Sequence, residues 1–429
     1  MRYMQNRLYK IFAISWIIRL AVFAVGPYEY KLYSIQGVLY MAFVDFLFWL
    51  GLQSGKWIQI PKVKIHFWDN VIGNNPQNRF ISNEFVLLLI ILSTAFFTLW
   101  FFDWKQSIGL NYLFSNEDIR RLISQRRTVY SKIGEFGSSI GILPFLIVQT
   151  GKDSGIYNKF NRTFCNVTAV FSGIISFASG ARWGIVSIIT IFFFVEQSKG
   201  KSLKLKHGSV QNGKTWIRRI TICIVTYIIL RRIWLLFQNR GVYHGAQRFL
   251  FEHGDTVLKP FWRSFLEKNF LVVDTICAIT GYFAQPIPVF SYVFQNYSNQ
   301  KCYFGASMFR VIGFLLNGLG INVLGMKDIY SHAFTGLYTS YVYGFIVDWG
   351  VYCTPFFVLF TGIIFSLIEQ NHIKQGLHRL LYPLMEVMVL FAPYYYFFHI
   401  GAMDFYLFWL FLFSVLPVSR ASITSDKLS

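Results

Sequence analysis

The chain has few charged residues for its length. Only 14% of its 429 residues are Asp, Glu, Lys or Arg, whereas 54% are hydrophobic. A soluble domain of this size carries roughly 25% charged residues on its surface. The deficit excludes a soluble globular domain and indicates a protein that crosses a lipid bilayer many times.

Cysteine is also scarce, and its spacing carries no motif. The cysteines lie far apart, without a CxxC pair, and mostly within apolar stretches, where cysteine behaves as a small hydrophobe. Neither a disulfide framework nor a metal site is indicated, and we expect no metal and no cofactor. The positions are Cys165, Cys223, Cys277, Cys302 and Cys353.

Acidic residues are half as numerous as basic ones, 20 against 40, which gives a net charge of +20. A basic excess of this kind can mark a nucleic-acid-binding protein. In a chain this apolar it fits basic loops beside anionic lipid head groups better. We therefore expect membrane lipids as partners and no nucleic acid.

Long apolar runs dominate what remains. Runs of about 17 to 25 apolar residues predict transmembrane helices, so we expect an all-α polytopic bundle of about ten spans. The first run is long and lacks a small-residue cleavage site, which predicts an anchor and no removable signal peptide. A single membrane domain then covers the chain, with a large outer loop over 238–340 that contains short helices. The predicted spans lie near 9–26, 33–52, 84–102, 133–150, 162–178, 182–196, 217–237, 341–368, 381–398 and 402–418.

Basic loops predict the orientation. The loop between the sixth and seventh spans is rich in lysine, and the C-terminal tail carries Arg420 and Lys427. By the positive-inside rule, these segments face the cytoplasm. Both termini are therefore expected to be cytoplasmic, which requires an even number of spans.

Two segments expected on the outer face are basic against this rule. In the first, 103–132, arginines at helical spacing would gather on one side; the second is the loop 238–340. Because the planar fork of arginine suits bidentate contacts with phosphate, these cations predict an anionic, diphosphate-bearing substrate. Contact with lipid phosphate is the alternative. The residues are Arg120, Arg121, Arg126 and Arg127, and then Arg240, His244, Arg248, Lys259, Arg263, Arg310 and His332.

Two charged residues fall inside predicted spans, Arg19 in the first and Asp45 in the second. A charge in hydrocarbon costs at least ~2.5 kcal/mol on insertion scales. Each therefore needs a partner or a polar cavity. The two residues are expected either to pair with each other or to serve such a cavity.

An apolar run within the outer loop, 270–294, is interrupted by Gln285-Pro-Ile-Pro. A proline pair cannot continue a regular helix. We therefore expect a re-entrant or surface-lying helix followed by a turn, and no full span.

Three short motifs resemble those of a known family. Tyr282-Phe-Ala-Gln-Pro-Ile-Pro-Val-Phe is similar to the aromatic–proline patch of bacterial oligosaccharide repeat-unit polymerases, the Wzy-type O-antigen and capsule polymerases. Ser179-Gly-Ala-Arg182 resembles their small-residue turn that carries an arginine. His332-Ala-Phe-Thr-Gly-Leu-Tyr, leading to Asp348-Trp-Gly350, resembles the segment before their late helix. It is also similar to the histidine motif of the related O-antigen ligases, although Ala333 replaces the usual asparagine.

The resemblance implies a GT-C-like glycosyltransferase at the outer face of a bacterial cytoplasmic membrane. Such an enzyme takes a growing glycan from undecaprenyl diphosphate and transfers it to another lipid-linked repeat unit, without a nucleotide sugar. The expected substrate is an undecaprenyl-diphosphate-linked oligosaccharide. A chain-length regulator and a flippase are further expected partners.

This transfer needs fixed cations, because the leaving diphosphate gains negative charge as the anomeric C–O bond breaks. Arg182, at the mouth of the predicted hairpin, is the first candidate, together with Arg240 and Arg248. The arginines of 103–132 are the second set.

The acceptor hydroxyl must also lose a proton, which a positioned base can take. His332 is the candidate base, since a histidine is neutral and able to accept a proton near pH 7; His244 and His253 are rivals. Asp348 either orients His332 or an arginine, or has a structural role. Tyr338 either stacks on a sugar ring or belongs to the interfacial aromatic belt.

Other functions remain open. A lipid-linked oligosaccharide flippase is expected to have two similar halves around a cationic cavity, whereas this sequence has no evident internal repeat and one dominant outer loop. An O-antigen ligase would use the same chemistry with a lipid A acceptor. A membrane O-acyltransferase would bury its histidine within a span, whereas His332 lies at the edge of one.

Overall fold

The structure is a computed structural model. It describes residues 7–30, 32–55, 57, 79–109, 128–150, 157–178, 183–198, 256–268, 276–277, 279–281, 283–297, 302–318, 340–371, 376–399, 402–415 and 420–422. Within these ranges the protein is helical, with two short pairs of strands.

The N-terminal half contributes the longer helices. Three of them begin at a side-chain cap, because the oxygens of Ser34, Ser82 and Thr128 each accept the amide three residues on. A 3-10 turn joins α4 to α5. The bounds are α1 Arg7–Val25, α2 Ile35–Ser54, α3 Asn83–Ser107, α4 Val129–Ser138, the turn Ser139–Gly141, α5 Ile142–Thr150, α6 Lys159–Ala178 and α7 Trp183–Ser198.

The C-terminal half combines short helices with one long one. Strand β1 pairs antiparallel with β3, and β2 pairs antiparallel with β4. The helices are α8 Pro260–Lys268, α9 Pro286–Tyr297, α10 Arg310–Gly318, α11 Ser340–Asn371, α12 Gly376–Phe391, the 3-10 helix Phe397–His399 and α13 Met403–Val415. The strands are β1 Tyr28–Glu29, β2 Arg79–Ile81, β3 Val257–Leu258 and β4 Arg420–Ser422.

Five helical segments of the described chain are long and apolar enough to cross a membrane. They are α1, α2, α3, the stretch Val129–Gln149 formed by α4 and α5, and Ser340–Gln370 of α11. Their outward faces carry exposed apolar side chains such as Ile17, Ile91 and Phe356, which water would not tolerate over so large an area. The protein is thus an all-α membrane protein. Shorter apolar helices cover Gly184–Gln197, Leu380–Phe391 and Met403–Phe413, and the predicted span 217–237 lies outside the described residues.

Helices α2 and α11 cross at glycines. A Cβ added to Gly51 would lie 2.5 Å from the carbonyl oxygen of Leu359, and one on Gly362 would lie 2.6 Å from that of Phe48. Lipid tails give packed helices little hydrophobic advantage, so small residues that allow close backbone contact stabilise helix pairs in membranes. Beside the crossing, the rings of Phe48 and Phe12 on α1 have centroids 5.0 Å apart.

Several helix ends meet on one side of the bundle, which we call the Arg7 face. The side chain of Arg7 donates to Gln197 near the end of α7, and its backbone amide donates to Glu369 near the end of α11 at 2.6 Å. Gln370 donates to the carbonyl of Gly55, just beyond α2, at 2.6 Å. The compartment that this face meets stays a prediction from the basic loops.

The opposite side, which we call the Pro27 face, carries described parts of the segment 238–340. The amide of Lys259 donates to the carbonyl of Pro27, just beyond α1, at 2.9 Å. The amide of Tyr33, just before α2, donates to the hydroxyl of Ser291 in α9 at 3.2 Å. Residues from the predicted large loop are therefore packed onto the ends of the long helices.

The prediction for the apolar run around Gln285 needs correction. The chain does break at Gln285, but a regular helix, α9, begins immediately after it. Pro286 and Pro288 lie in its first turn, where a missing N–H removes no intrahelical bond. Helix α9 is also not surface-lying, since Phe290 is fully buried. Its 12 residues extend about 18 Å at ~1.5 Å per residue, too short to cross a bilayer.

The predicted span 381–398 is interrupted. Helix α12 ends at Phe391, and the chain turns through Ala392 and Pro393. The residue before a proline disfavours the helical region, which explains why the helix stops there. The turn folds back against α11, because the amide of Tyr341 donates to the Ala392 carbonyl at 3.0 Å.

Replacing Gly362 with leucine should separate α2 from α11. The new side chain meets backbone atoms that cannot move aside, and overpacking of this kind costs about 1–3 kcal/mol or more. We expect a lower melting temperature of the detergent-solubilised protein. Phe360→Leu is the matched control, since Phe360 is 60% exposed and should tolerate the change. Equal melting temperatures for the two variants would contradict the glycine crossing.

Candidate functional site

Most residues predicted as site residues lie outside the part of the chain that the structure describes. Asp348, within α11, is the exception. The residues outside the described ranges are His332, Arg182, Arg240, Arg248, His244, Arg120, Arg121, Arg126, Arg127 and Tyr338.

Helix α11 is broken just after Asp348. Gly350 has φ 74° and ψ 170°, a non-helical conformation with the positive φ that favours glycine. Residues 340–349 and 351–371 are therefore two half-helices. Cys302 lies against the break, with its Sγ 2.8 Å from the place of a Cβ on Gly350. A larger residue at this position would meet both backbone strain and a clash.

The carbonyl groups at the break have new partners. Pro355 has no N–H to offer the Val351 carbonyl, and Tyr40 of α2 donates its hydroxyl to that oxygen at 2.5 Å. The hydroxyl of Thr354 donates to the Gly350 carbonyl at 2.7 Å. Inside a membrane an unpaired carbonyl costs several kcal/mol. These two bonds therefore stabilise the break at its depth in the bundle.

Asp348 is fully buried and binds three donors. Its Oδ1 accepts the amide of Ser307 at 2.8 Å, and its Oδ2 accepts the amide of Met308 at 3.0 Å and the hydroxyl of Tyr396 at 2.8 Å. The carboxylate thus holds the segment 302–309 against the first half of α11. None of the described arginines or histidines binds it, so the geometry fits the structural role, and a role in substrate binding stays a prediction.

Two cations of the segment 238–340 serve folding contacts. Both Nε and Nη2 of Arg310 contact Oδ2 of Asp404, at 3.0 Å and 2.5 Å, and tie the start of α10 to the start of α13. The Nζ of Lys259 donates to the Ala24 carbonyl at 2.8 Å and caps the carbonyl end of α1. Arg263, by contrast, is exposed on α8. The predicted excess of outer cations is therefore partly structural.

Arg19 and Asp45 form a buried pair, which confirms the prediction that they meet. The Nη2 of Arg19 lies 3.6 Å from the Oδ2 of Asp45, and both residues are almost inaccessible. The Nη1 of Arg19 donates to the Pro393 carbonyl at 3.0 Å. Its guanidinium lies 3.6 Å from the ring centroid of Trp16, a cation–π contact that stabilises a charge away from water.

The polar atoms around this pair are incompletely paired within the described residues. The Nε and Nη2 of Arg19, both oxygens of Asp45, the Nε1 of Trp16 and the hydroxyl of Tyr341 have no hydrogen-bond partner there. Trp16 and Tyr341 act electrostatically on the Asp45 carboxylate but lie outside hydrogen-bond geometry. Uncompensated polarity of this kind is costly at low dielectric and is typical of functional positions in membrane bundles.

A second buried charged group, on the Arg7 face, was missed from the sequence. The Nε of Arg7 lies 2.9 Å from the Oε1 of Glu386, which is fully buried. Glu369 Oε1 accepts the amides of Arg7 and Leu8 at 2.6 and 3.0 Å, and the Tyr382 hydroxyl at 3.4 Å. A signal existed, because Glu386 falls inside the predicted ninth span, where a lone acid needs a partner.

Together, these groups position chain segments more than they offer reactive atoms. Asp348 and Asp404 are occupied by backbone and arginine donors, and Arg19 is sealed from the surface. Within the described ranges, no three His, Cys, Asp or Glu side chains lie together as metal ligands. What the arrangement fixes is the place of the segment 302–318 on the Pro27 face.

No protein-family model, curated protein or solved structure matches the chain. Inferences about its function therefore rest on its own residues and contacts.

Breaking the Arg19–Asp45 pair on one side should destabilise the protein strongly. Arg19→Met leaves the Asp45 carboxylate buried without its cation, which costs about 3–5 kcal/mol. Adding Asp45→Leu should restore most of the lost stability, because it removes the orphaned charge. Melting temperatures of the single and double variants in detergent measure this. Arg263→Met, at an exposed position, is the control; a single variant at Arg19 as stable as this control would show that the pair is dispensable.

Removing the Asp348 carboxylate should release the segment 302–309. In Asp348→Ala, two backbone amides lose their acceptor, and the partly buried Cys302 should react faster with a water-soluble maleimide. Tyr396→Phe removes one donor and leaves both amides bound, so its labelling rate should stay near that of the parent. A parent-like rate for Asp348→Ala would rule out the anchoring role. The background variant retains the buried Cys165 and Cys277 and has alanine at 223 and 353.

Proposed function

We propose that this protein is a membrane glycosyltransferase that polymerises undecaprenyl-diphosphate-linked oligosaccharide repeat units into O-antigen or capsular polysaccharide. It acts on the outer face of a bacterial cytoplasmic membrane, with about ten spans, both termini cytoplasmic and a GT-C-like architecture. The arginines outside predicted spans and the three motifs that resemble Wzy-type polymerases support this proposal.

One observation carries the proposal furthest. The segment 319–339, which contains His332 and Tyr338, begins beside α10 and ends at α11. The start of α10 is tied to α13 through Arg310 and Asp404, and α11 is tied to the segment before α10 through Asp348. The candidate base therefore lies in a loop whose two ends are held on the same face of the bundle, which is what a site for a membrane-anchored substrate requires.

The proposed roles follow the needs of the reaction. His332 takes the proton of the acceptor hydroxyl, whose oxygen attacks the anomeric carbon of the donor. The bond from that carbon to the diphosphate breaks, and the lipid diphosphate leaves with the electron pair. Arg182, Arg240 and Arg248 stabilise its charge, and the arginines of 103–132 guide the anionic lipid to the site. No cofactor takes part.

A flippase for the same lipid-linked oligosaccharide is the second candidate. The break at Gly350 and the buried Arg19 group favour it, because transporters often combine discontinuous helices with intramembrane charges. The hydrogen bonds that pin the break to the segment 302–309 favour a fixed element and hence the transferase.

Deletion of the gene in its source organism separates the candidates. A polymerase deletion should leave surface lipid capped by a single repeat unit and abolish long chains on a polysaccharide gel. Loss of every repeat from the surface with lipid-linked repeats retained inside would instead identify a flippase. Long polymer that stays on the lipid carrier would identify a ligase, and unchanged polysaccharide would reject all three.

Arg182→Ala should abolish long chains while the protein level in membranes stays normal. The physical reason is the loss of a fixed cation beside the leaving diphosphate, which is worth about 2.7–4 kcal/mol for a single stabilising group. Lys105→Ala is the matched control, because Lys105 is exposed near the end of α3. Full-length chains in Arg182→Ala cells would remove this arginine from the site.

A further inference from the structure

Helix α8 presents an apolar side that no described residue covers. Phe261 is 68% exposed and Phe265 is 44% exposed, and four residues apart they stand on the same side of the helix. Trp262, about 100° further round, packs toward Tyr28. Arg263, about 200° from Phe261, is exposed on the opposite side. The helix is therefore amphipathic, with separate protein, apolar and cationic sides.

The contacts of α8 fix its level along the bundle. Lys259, directly before it, donates its amide to Pro27 at 2.9 Å and its Nζ to Ala24 at 2.8 Å. Strand pairing of Leu258 with Tyr28 adds a second attachment. Both attachments lie at the end of α1, a helix long and apolar enough to span a membrane. The end of such a span lies at the level of the lipid head groups, so α8 starts at that level.

Lipid is also the medium next to α8. Helix α1 exposes Ile17 at 65% and, at its last residue, Val25 at 77%. Lipid covers such a face in a membrane-spanning helix. Because Val25 lies between the carbonyl bound by Lys259 and the strand paired with β3, the lipid-facing surface of α1 leads directly to α8.

We propose that α8 is an in-plane interfacial helix whose Phe261–Phe265 side is inserted into the phospholipid surface beside the end of α1. The phenyl rings leave water for the boundary between head groups and acyl chains, and Arg263 faces water and lipid phosphate. The partner is the bilayer itself. The inference depends on α1 as a span and is independent of the proposed transferase activity.

Spin labels on the full-length protein in vesicles of phosphatidylethanolamine and phosphatidylglycerol test this placement. Labels at Phe265→Cys and Arg263→Cys are compared for relaxation by oxygen, which concentrates in lipid, and by a water-soluble nickel complex. We expect a loss of nickel-induced relaxation at 265 relative to 263, with stronger oxygen-induced relaxation at 265. Reference labels are placed at Phe360 for lipid and at Glu29 for water, both exposed positions.

Two outcomes overturn the proposal. Equal nickel relaxation at 263 and 265 would place the apolar side in water. Shielding of the label at 265 from both oxygen and nickel would show that protein covers this side, either a second copy or another partner. If Phe265→Cys fails to insert, Ser264→Cys keeps both phenylalanines and lies nearer to them than to Arg263. Its label should then show less nickel relaxation than the one at 263, and the reverse order would reject the interfacial helix.

Discussion

A polar group inside a lipid bilayer has no water to bind, and this constraint accounts for most of the contacts that organise the bundle. The break in α11 persists because Tyr40 takes the carbonyl that Pro355 cannot bind. The carboxylate of Asp348 is buried beside it because backbone amides from another segment neutralise its need for donors. A defect in one helix thus becomes the attachment point for a segment of the predicted outer loop.

The same constraint shapes the two faces of the protein. On the Pro27 face, Arg310 and Asp404 join short helices to the bundle, and the docked segment brackets the stretch in which the candidate base lies. On the Arg7 face, Arg7 stands between Glu369 and Glu386 and gathers the ends of α1, α7, α11 and α12. Where no polar group needs a partner, glycines bring α2 and α11 together. A rigid frame of this kind suits a reaction in which two membrane-anchored substrates must meet in one orientation.

How much the sequence predicted depends on the kind of signal. Apolar runs predicted the helices well, because a span needs many consecutive residues and tolerates small errors at its ends. The rule that an intramembrane charge needs a partner correctly paired Arg19 with Asp45, and applied to Glu386 it would have found the second charged group. Proline was harder to interpret: at Pro286 it begins a helix, and at Pro393 it ends one. The difference depends on which carbonyl lies four residues before it and what else can bind that carbonyl.

The sequence by itself determined that this protein is a membrane helix bundle, since its low charge and long apolar runs allow no other class. It also supplied every residue on which the proposed transferase activity depends, because the motif residues other than Asp348 carry their signal in residue type and order. Only the tertiary structure decided the roles of Asp348, Arg310 and Lys259. A carboxylate or a cation is chemically free to bind a substrate or a backbone group, and only the neighbours that folding brings within hydrogen-bond distance choose between them.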